Sequence, residues 1–182
     1  RHYGQKPCTI WLTGLVASGK SEIAYALEKV LHEQNYSAVV LDGATVREGL
    51  SRDLGFSTAD QTEHLRRVAE CARILNNAGL IAIAAFLSPS EQTRLQAAEL
   101  ISPDRYIEIY LDASLDWCKA QDTTGCYEQA EKGLLRNLAG VDYPYEIPQD
   151  PSLTIPRASE SEDQSVARIM KLLKDRGFLL KA

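Results

Sequence analysis

Apolar residues recur with two distinct periods along this chain. Residues 8–13, Cys-Thr-Ile-Trp-Leu-Thr, form a short apolar run suited to a buried strand. From Lys20 onward Ile23, Leu27, Val30 and Leu31 return at helical spacing, in a helix that ends near Asn35. Residues 37–41 read as a second strand closing in Asp42-Gly43, followed by a short helix over 46–53. Leu65, Val68, Ala69, Ala72 and Leu75 mark one face of a long helix that starts within 57–60 and stops at Gly79. Residues 80–86 are apolar without alternation, as a parallel strand covered on both faces requires, and Ser88-Pro89-Ser90 ends them. A helix over 91–101, a strand over 106–111, a helix over 114–121 and a strand over 152–155 come next. A terminal helix carries Val166, Ile169, Met170 and Leu173 and closes at Gly177. Strand alternating with helix predicts an α/β fold: a doubly wound parallel sheet with helices on both faces and ligands at the carboxyl ends of the strands.

Residues 122–150 break this rhythm. Gly125, Gly133, Gly140, Pro144 and Pro148 punctuate a weakly periodic stretch, either a plain surface excursion or, where a P-loop kinase would place it, a mobile lid that closes over the nucleotide.

Composition narrows the class. The 182 residues are 45% hydrophobic and 25% charged, which suits one globular domain spanning 1–182. A net charge of −5 argues against a nucleic-acid or membrane partner, and the longest apolar run, 80–87, is too short to cross a bilayer. Cys8, Cys71, Cys118 and Cys126 show neither C-x-x-C spacing nor nearby histidines, so no zinc site or disulfide framework is expected, and a cytoplasmic setting suits them. The first residue is Arg1 and the sole methionine is Met170, so the chain is expected to be a fragment, a processed product or, the favoured expectation, a domain of a longer polypeptide.

The sharpest chemical signal is Gly14-Leu15-Val16-Ala17-Ser18-Gly19-Lys20-Ser21, which fits G-x-x-x-x-G-K-[ST] between a strand and a helix. Its glycines let the backbone curl so that successive N–H groups face a nucleotide's phosphates. Lys20 is expected to reach the outer phosphates and the Ser21 hydroxyl to hold Mg²⁺. The fold class is therefore a P-loop NTPase-type sheet.

Further stretches carry a family resemblance: Leu41-Asp42-Gly43, Val46-Arg47-Glu48-Gly49-Leu50, Asp53-Leu54-Gly55-Phe56-Ser57, Leu65-Arg66-Arg67-Val68-Ala69-Glu70, Ala85-Phe86-Leu87-Ser88-Pro89 and Gly140-Val141-Asp142-Tyr143-Pro144-Tyr145-Glu146. With the P-loop, they make the chain resemble adenylylsulfate kinase (APS kinase), which uses ATP and Mg²⁺ to phosphorylate the ribose 3′-hydroxyl of adenosine 5′-phosphosulfate. The resemblance implies Lys20 and Asp42 as catalytic groups, Ser21 and Asp42 as metal ligands, and Arg47, Phe56, Arg67 and Ser88 on the acceptor. It also implies a homodimer, or a place beside ATP sulfurylase in a larger polypeptide.

This chain also departs from that family's pattern. Ala44 stands where the family has a second carboxylate, Gln61 where it has an arginine, His64 where it has an asparagine, and Leu138 where it has a phenylalanine that sandwiches the acceptor's adenine with Phe56. In the lid, two arginines and a lysine have given way to Gln121, Thr124 and Glu131, leaving Lys132 and Arg136 as nearby cations. Three expectations result: an active APS kinase, a degenerate regulatory or assembly domain beside a sulfurylase, or a P-loop kinase with a changed acceptor.

Overall fold

A computed structural model describes residues 4–180; Arg1 lies outside them. Five parallel strands, β1 (Thr9–Thr13), β2 (Ala38–Asp42), β3 (Ile81–Ala85), β4 (Tyr106–Asp112) and β5 (Leu153–Pro156), lie in the order β2-β3-β1-β4-β5. The seven helices among the described residues are α1 (Lys20–Glu33), α2 (Gly43–Glu48), α3 (Thr58–Asn77), α4 (Glu91–Ile101), α5 (Leu115–Gln121), α6 (Cys126–Glu131) and α7 (Glu162–Asp175).

The two-residue period of the strands sorts their side chains onto two cores. Ile10 and Leu12, Ile81 and Ile83, and Ile107, Ile109 and Leu111 pack with Ile23, Leu27 and Leu31 of α1 and with Val166, Ile169 and Leu173 of α7. On the other face, Ala82 and Ala84 are small, and the space they leave is filled by Trp11, whose ring lies 6.2 Å from Phe86 and 5.8 Å from Tyr106. Leu65, Val68, Ala69 and Ala72 of α3 close this side. Each buried Leu, Ile or Val side chain contributes about 1.5–3 kcal/mol relative to exposure, so the sheet is anchored from both sides.

Two elements differ from the sequence reading. The helix expected over 46–53 starts and ends earlier, because the Asp42 carboxylate accepts the Thr45 N–H (2.9 Å) and caps α2 at its first turn, and Gly49 leaves helical geometry. Residues 122–150 contain α6, a six-residue helix with no periodicity of its own. Asp122 organises its approach by accepting the N–H groups of Thr124 (2.9 Å), Gly125 (3.2 Å) and Tyr127 (3.1 Å). Among the described residues, no helix is long and apolar enough to cross a membrane.

Candidate active site

All five strand-carboxyl loops converge on one end of the sheet, and the loop after β1 lies at their centre. Its backbone needs its glycines. A Cβ on Gly14 would come within 2.8 Å of Ser18 Oγ and 2.9 Å of the Leu111 carbonyl oxygen, and Gly19 has φ +90. Ala17 holds φ 61, a conformation that costs a non-glycine residue roughly 1–2 kcal/mol and that collects at ligand sites. Lys20 Nζ folds back to donate to the carbonyls of Gly14 (2.9 Å) and Leu15 (2.7 Å). Burial pushes its ammonium down to about 8. Ser18 Oγ is buried without a hydrogen-bond partner among the described residues. A curled backbone at a helix N-terminus, an orphaned hydroxyl and a lysine satisfied only by its own loop together fit a polyphosphate.

Two cavities meet at this cradle and share Val16, Ala17, Lys20, Ser21 and Thr124. The larger, about 550 Å³, runs toward Arg47, Phe56, His64 and Leu138. The smaller, about 370 Å³, runs toward Trp117, Gln121 and Arg157. Lys20 at the junction can touch what occupies either one, the arrangement that transfer between two bound molecules requires.

Comparison with known proteins decides the class. A family model described as adenylylsulphate kinase matches residues 6–156. The chain belongs to the adenylylsulfate kinase family. It is 44% identical over 176 residues to the adenylyl-sulfate kinase of Pseudomonas entomophila, which covers 97% of this chain and 85% of that one. A bifunctional CysN/CysC enzyme of Rhodopirellula baltica is 42% identical over 97% of this chain, which spans 27% of that relative. The solved Mycobacterium tuberculosis APS kinase CysC, in complex with AMPPNP and APS, superposes with a TM-score of 0.90 at 35% identity, over 93% of this chain and 99% of that one.

Within this adenylylsulfate kinase fold, Arg47 and Phe56 lie together on the wall of the larger cavity. The Arg47 guanidinium sits 4.3 Å from the Phe56 ring centroid and donates to Gly55 O at 3.0 Å. Gln61 Nε2 (2.9 Å) and Asn137 Nδ2 (3.2 Å) both donate to the Phe56 carbonyl, so α3 and the segment after α6 fix the loop that presents the ring. His64 is buried against the edge of Phe86, and Nδ1 has no partner among the described residues. Burial, reinforced by the charges of Arg47 and Arg67, lowers its pKa to about 4, so it is neutral at pH 7.

Three expected site residues are placed differently from the sequence reading. Arg67 does not line the cavity: it forms a fork on Asp53 (2.6 and 2.9 Å), donates to Glu63 (2.9 Å) and reaches Leu50 O (2.9 Å), which clamps the loop after α2 onto α3. Ser88 lines the cavity, but its hydroxyl is buried, accepting from Trp11 Nε1 (3.1 Å) and donating to Thr13 Oγ1 (2.8 Å). Asp42 spends one carboxylate oxygen on Thr45 and the other on the Tyr25 hydroxyl, and it lines neither cavity at the cradle. Burial opposes its charge, yet these hydrogen bonds hold its pKa below the ordinary carboxylate value.

Sequence reasoning passed over three residues here. Tyr127 donates to Val16 O at 2.7 Å and pins α6 to the cradle. Tyr25 reaches Asp42, and Arg157 donates from Nε to Ser18 O at 3.0 Å. Tyr25 is one helical turn beyond Ser21, a spacing that could have flagged it. Nothing local marks Arg157, which is 139 residues from its partner. Of the two cations expected to act from residues 122–150, Lys132 is paired with Glu128 and Arg136 lines the larger cavity.

Proposed function

We propose that this chain transfers the γ-phosphoryl group of ATP to the 3′-hydroxyl of adenosine 5′-phosphosulfate. The meeting of two cavities at Lys20 carries this reading, supported by the family assignment and by the solved relative that holds an ATP analogue and APS. The cradle N–H groups and Lys20 hold the triphosphate, while Arg47 and Phe56 offer charge and a stacking face to the acceptor. Phosphoryl transfer needs mainly alignment and charge neutralisation, so these groups act by placing two anions end to end.

Among the described residues no cluster of three His, Cys, Asp or Glu side chains could hold a metal ion. The donor set fits Mg²⁺ that arrives with the nucleotide, since Mg²⁺ is usually held by one or two protein groups plus phosphate oxygens. Ser21, which lines both cavities, would supply one such group, and Asp42, held here by Tyr25 and Thr45, is the second that the family resemblance implies. When bound, Mg²⁺ neutralises charge on the transferring phosphate.

Ala44 favours a second reading, a weakly active or inactive domain that binds nucleotide and serves regulation or assembly. It presents only a methyl group to the larger cavity. The bifunctional relative supports a place within a larger polypeptide, and a homodimer fits either reading. Chromatography of a mixture with Mg-ATP and adenosine 5′-phosphosulfate, paired with calorimetric titration of each ligand, separates the two. Formation of 3′-phosphoadenylylsulfate supports the kinase; binding of both ligands without product supports the second reading.

A further inference from the structure

The smaller cavity at the cradle has a charge problem that Arg157 resolves. Glu22, Asp122 and Glu162 line it, Gln121, Thr123 and Thr124 are uncharged, and its only cations among the described residues are Lys20 and Arg157. A polyphosphate entering this space without Arg157 would meet three carboxylates and one ammonium. Arg157 follows β5, and its main-chain N–H donates to Asp112 O at 2.9 Å, which fixes where the side chain starts. Nε binds Ser18 O at 3.0 Å, and Nη1 lies 3.4 Å from both Glu160 O and Ser165 Oγ. Nη2 makes no hydrogen bond among the described residues and lies 3.0 Å from where a Cβ on Gly19 would be. The guanidinium is thus held by two corners, with the third placed against the cradle backbone. Its carbon lies 5.9 Å from the centre of the half-buried Trp117 ring.

We propose that Arg157 and Trp117 form the base-side wall of the nucleotide site, with Trp117 and the planar guanidinium stacking on the purine and the free Nη2 meeting the phosphate nearest the ribose. The inference rests on assigning the larger cavity to the acceptor, which leaves this one for the nucleotide's base. A guanidinium does both jobs because it is planar, permanently charged and able to stack on aromatic faces while it donates from its edge. An ammonium could do only the second. The cavity volume of about 370 Å³ suits a nucleoside.

The test titrates wild type, Arg157→Gln, Arg157→Lys and Trp117→Leu with Mg-ADP and with inorganic tripolyphosphate, by calorimetry and tryptophan fluorescence. Wild type is expected to bind both, with ADP quenching the Trp117 emission. Arg157→Gln should lose tenfold or more in ADP affinity and less for tripolyphosphate. Arg157→Lys should keep tripolyphosphate affinity but not the full ADP affinity. Trp117→Leu should weaken ADP severalfold, abolish the quench and leave tripolyphosphate unchanged. Unchanged ADP binding in Arg157→Gln and Trp117→Leu overturns the proposal. So does equal loss of both ligands, which would mean that Arg157 only braces the loop through Ser18. If wild type binds tripolyphosphate but not ADP, the base site lies elsewhere; if it binds neither, the nucleotide reading itself fails. Melting temperatures within a few degrees of wild type establish that the variants fold.

Discussion

The Tyr25 hydroxyl donates to the Asp42 carboxylate, tying α1 to the end of β2 beside the cradle. Asp42 therefore acts as cap and hydrogen-bond acceptor before it does anything else. Replacing it with Ala removes the cap of α2 and should cost ~1 kcal/mol, seen as a lower denaturation midpoint. Because its folded pKa is depressed, its stabilisation is fully present above its unfolded value near 4 and is lost as pH falls through the lower folded value. Asp42→Asn should flatten that part of the acid unfolding curve. Tyr25→Phe releases one carboxylate oxygen and is expected to lower the Mg²⁺ concentration needed for half-maximal turnover. An unchanged Mg²⁺ dependence would assign Asp42 to capping alone.

Lys20 carries a second pH signature. Its lowered pKa of about 8 means that the nucleotide-free ammonium discharges as pH rises from 7 to 9. If only the charged form binds phosphate, Mg-ADP affinity falls roughly tenfold across that interval, measurable by calorimetry at constant ionic strength. The same shift has the opposite sign for stability. The unfolded chain binds this proton more tightly, so the nucleotide-free protein gains stability from Lys20 between about pH 8 and its unfolded value. Lys20→Met should remove both effects.

Ala44 sits at the wall of the larger cavity, exposed and one residue after the start of α2. Ala44→Asp places a carboxylate there and is expected to raise kcat tenfold or more, about 1.4 kcal/mol of transition-state stabilisation, with little change in either KM. No rise would locate the shortfall elsewhere, first in the acidic lid.

Phe56 is 58% exposed although its ring is covered on one side by Arg47, so a free face is offered to the cavity. A stacked base is worth about 0.5–1.5 kcal/mol. Phe56→Ala should therefore raise the acceptor KM roughly two- to thirteenfold and leave the ATP KM unchanged in steady-state kinetics.

Much of this arrangement is legible in the sequence because it is local. The P-loop, the doubly apolar strand β3 and the faces of α1, α3 and α7 each announce themselves within a dozen residues, and the structure places them accordingly. What was missed depends on which partner each side chain finds, near or far along the chain. The family resemblance implied Arg67 and Ser88 as acceptor contacts, and in the structure Asp53 and Glu63 engage the first, Trp11 and Thr13 the second. The helix α6 exists because Asp122 organises its approach and Tyr127 inserts against the cradle, not through its own periodicity. Arg157 follows a strand with no motif around it, and its place beside the cradle is set by Ser18 and Trp117, both distant in sequence.

The central claim is that a phosphoryl group crosses the junction at Lys20 between two bound nucleotides. It is tested most directly by ADP release from purified protein with Mg-ATP, in the presence and absence of adenosine 5′-phosphosulfate, beside a Lys20→Ala control. The account predicts release that depends on the acceptor and falls at least a hundredfold in the control. Release no faster than the control, with the acceptor bound, would contradict it.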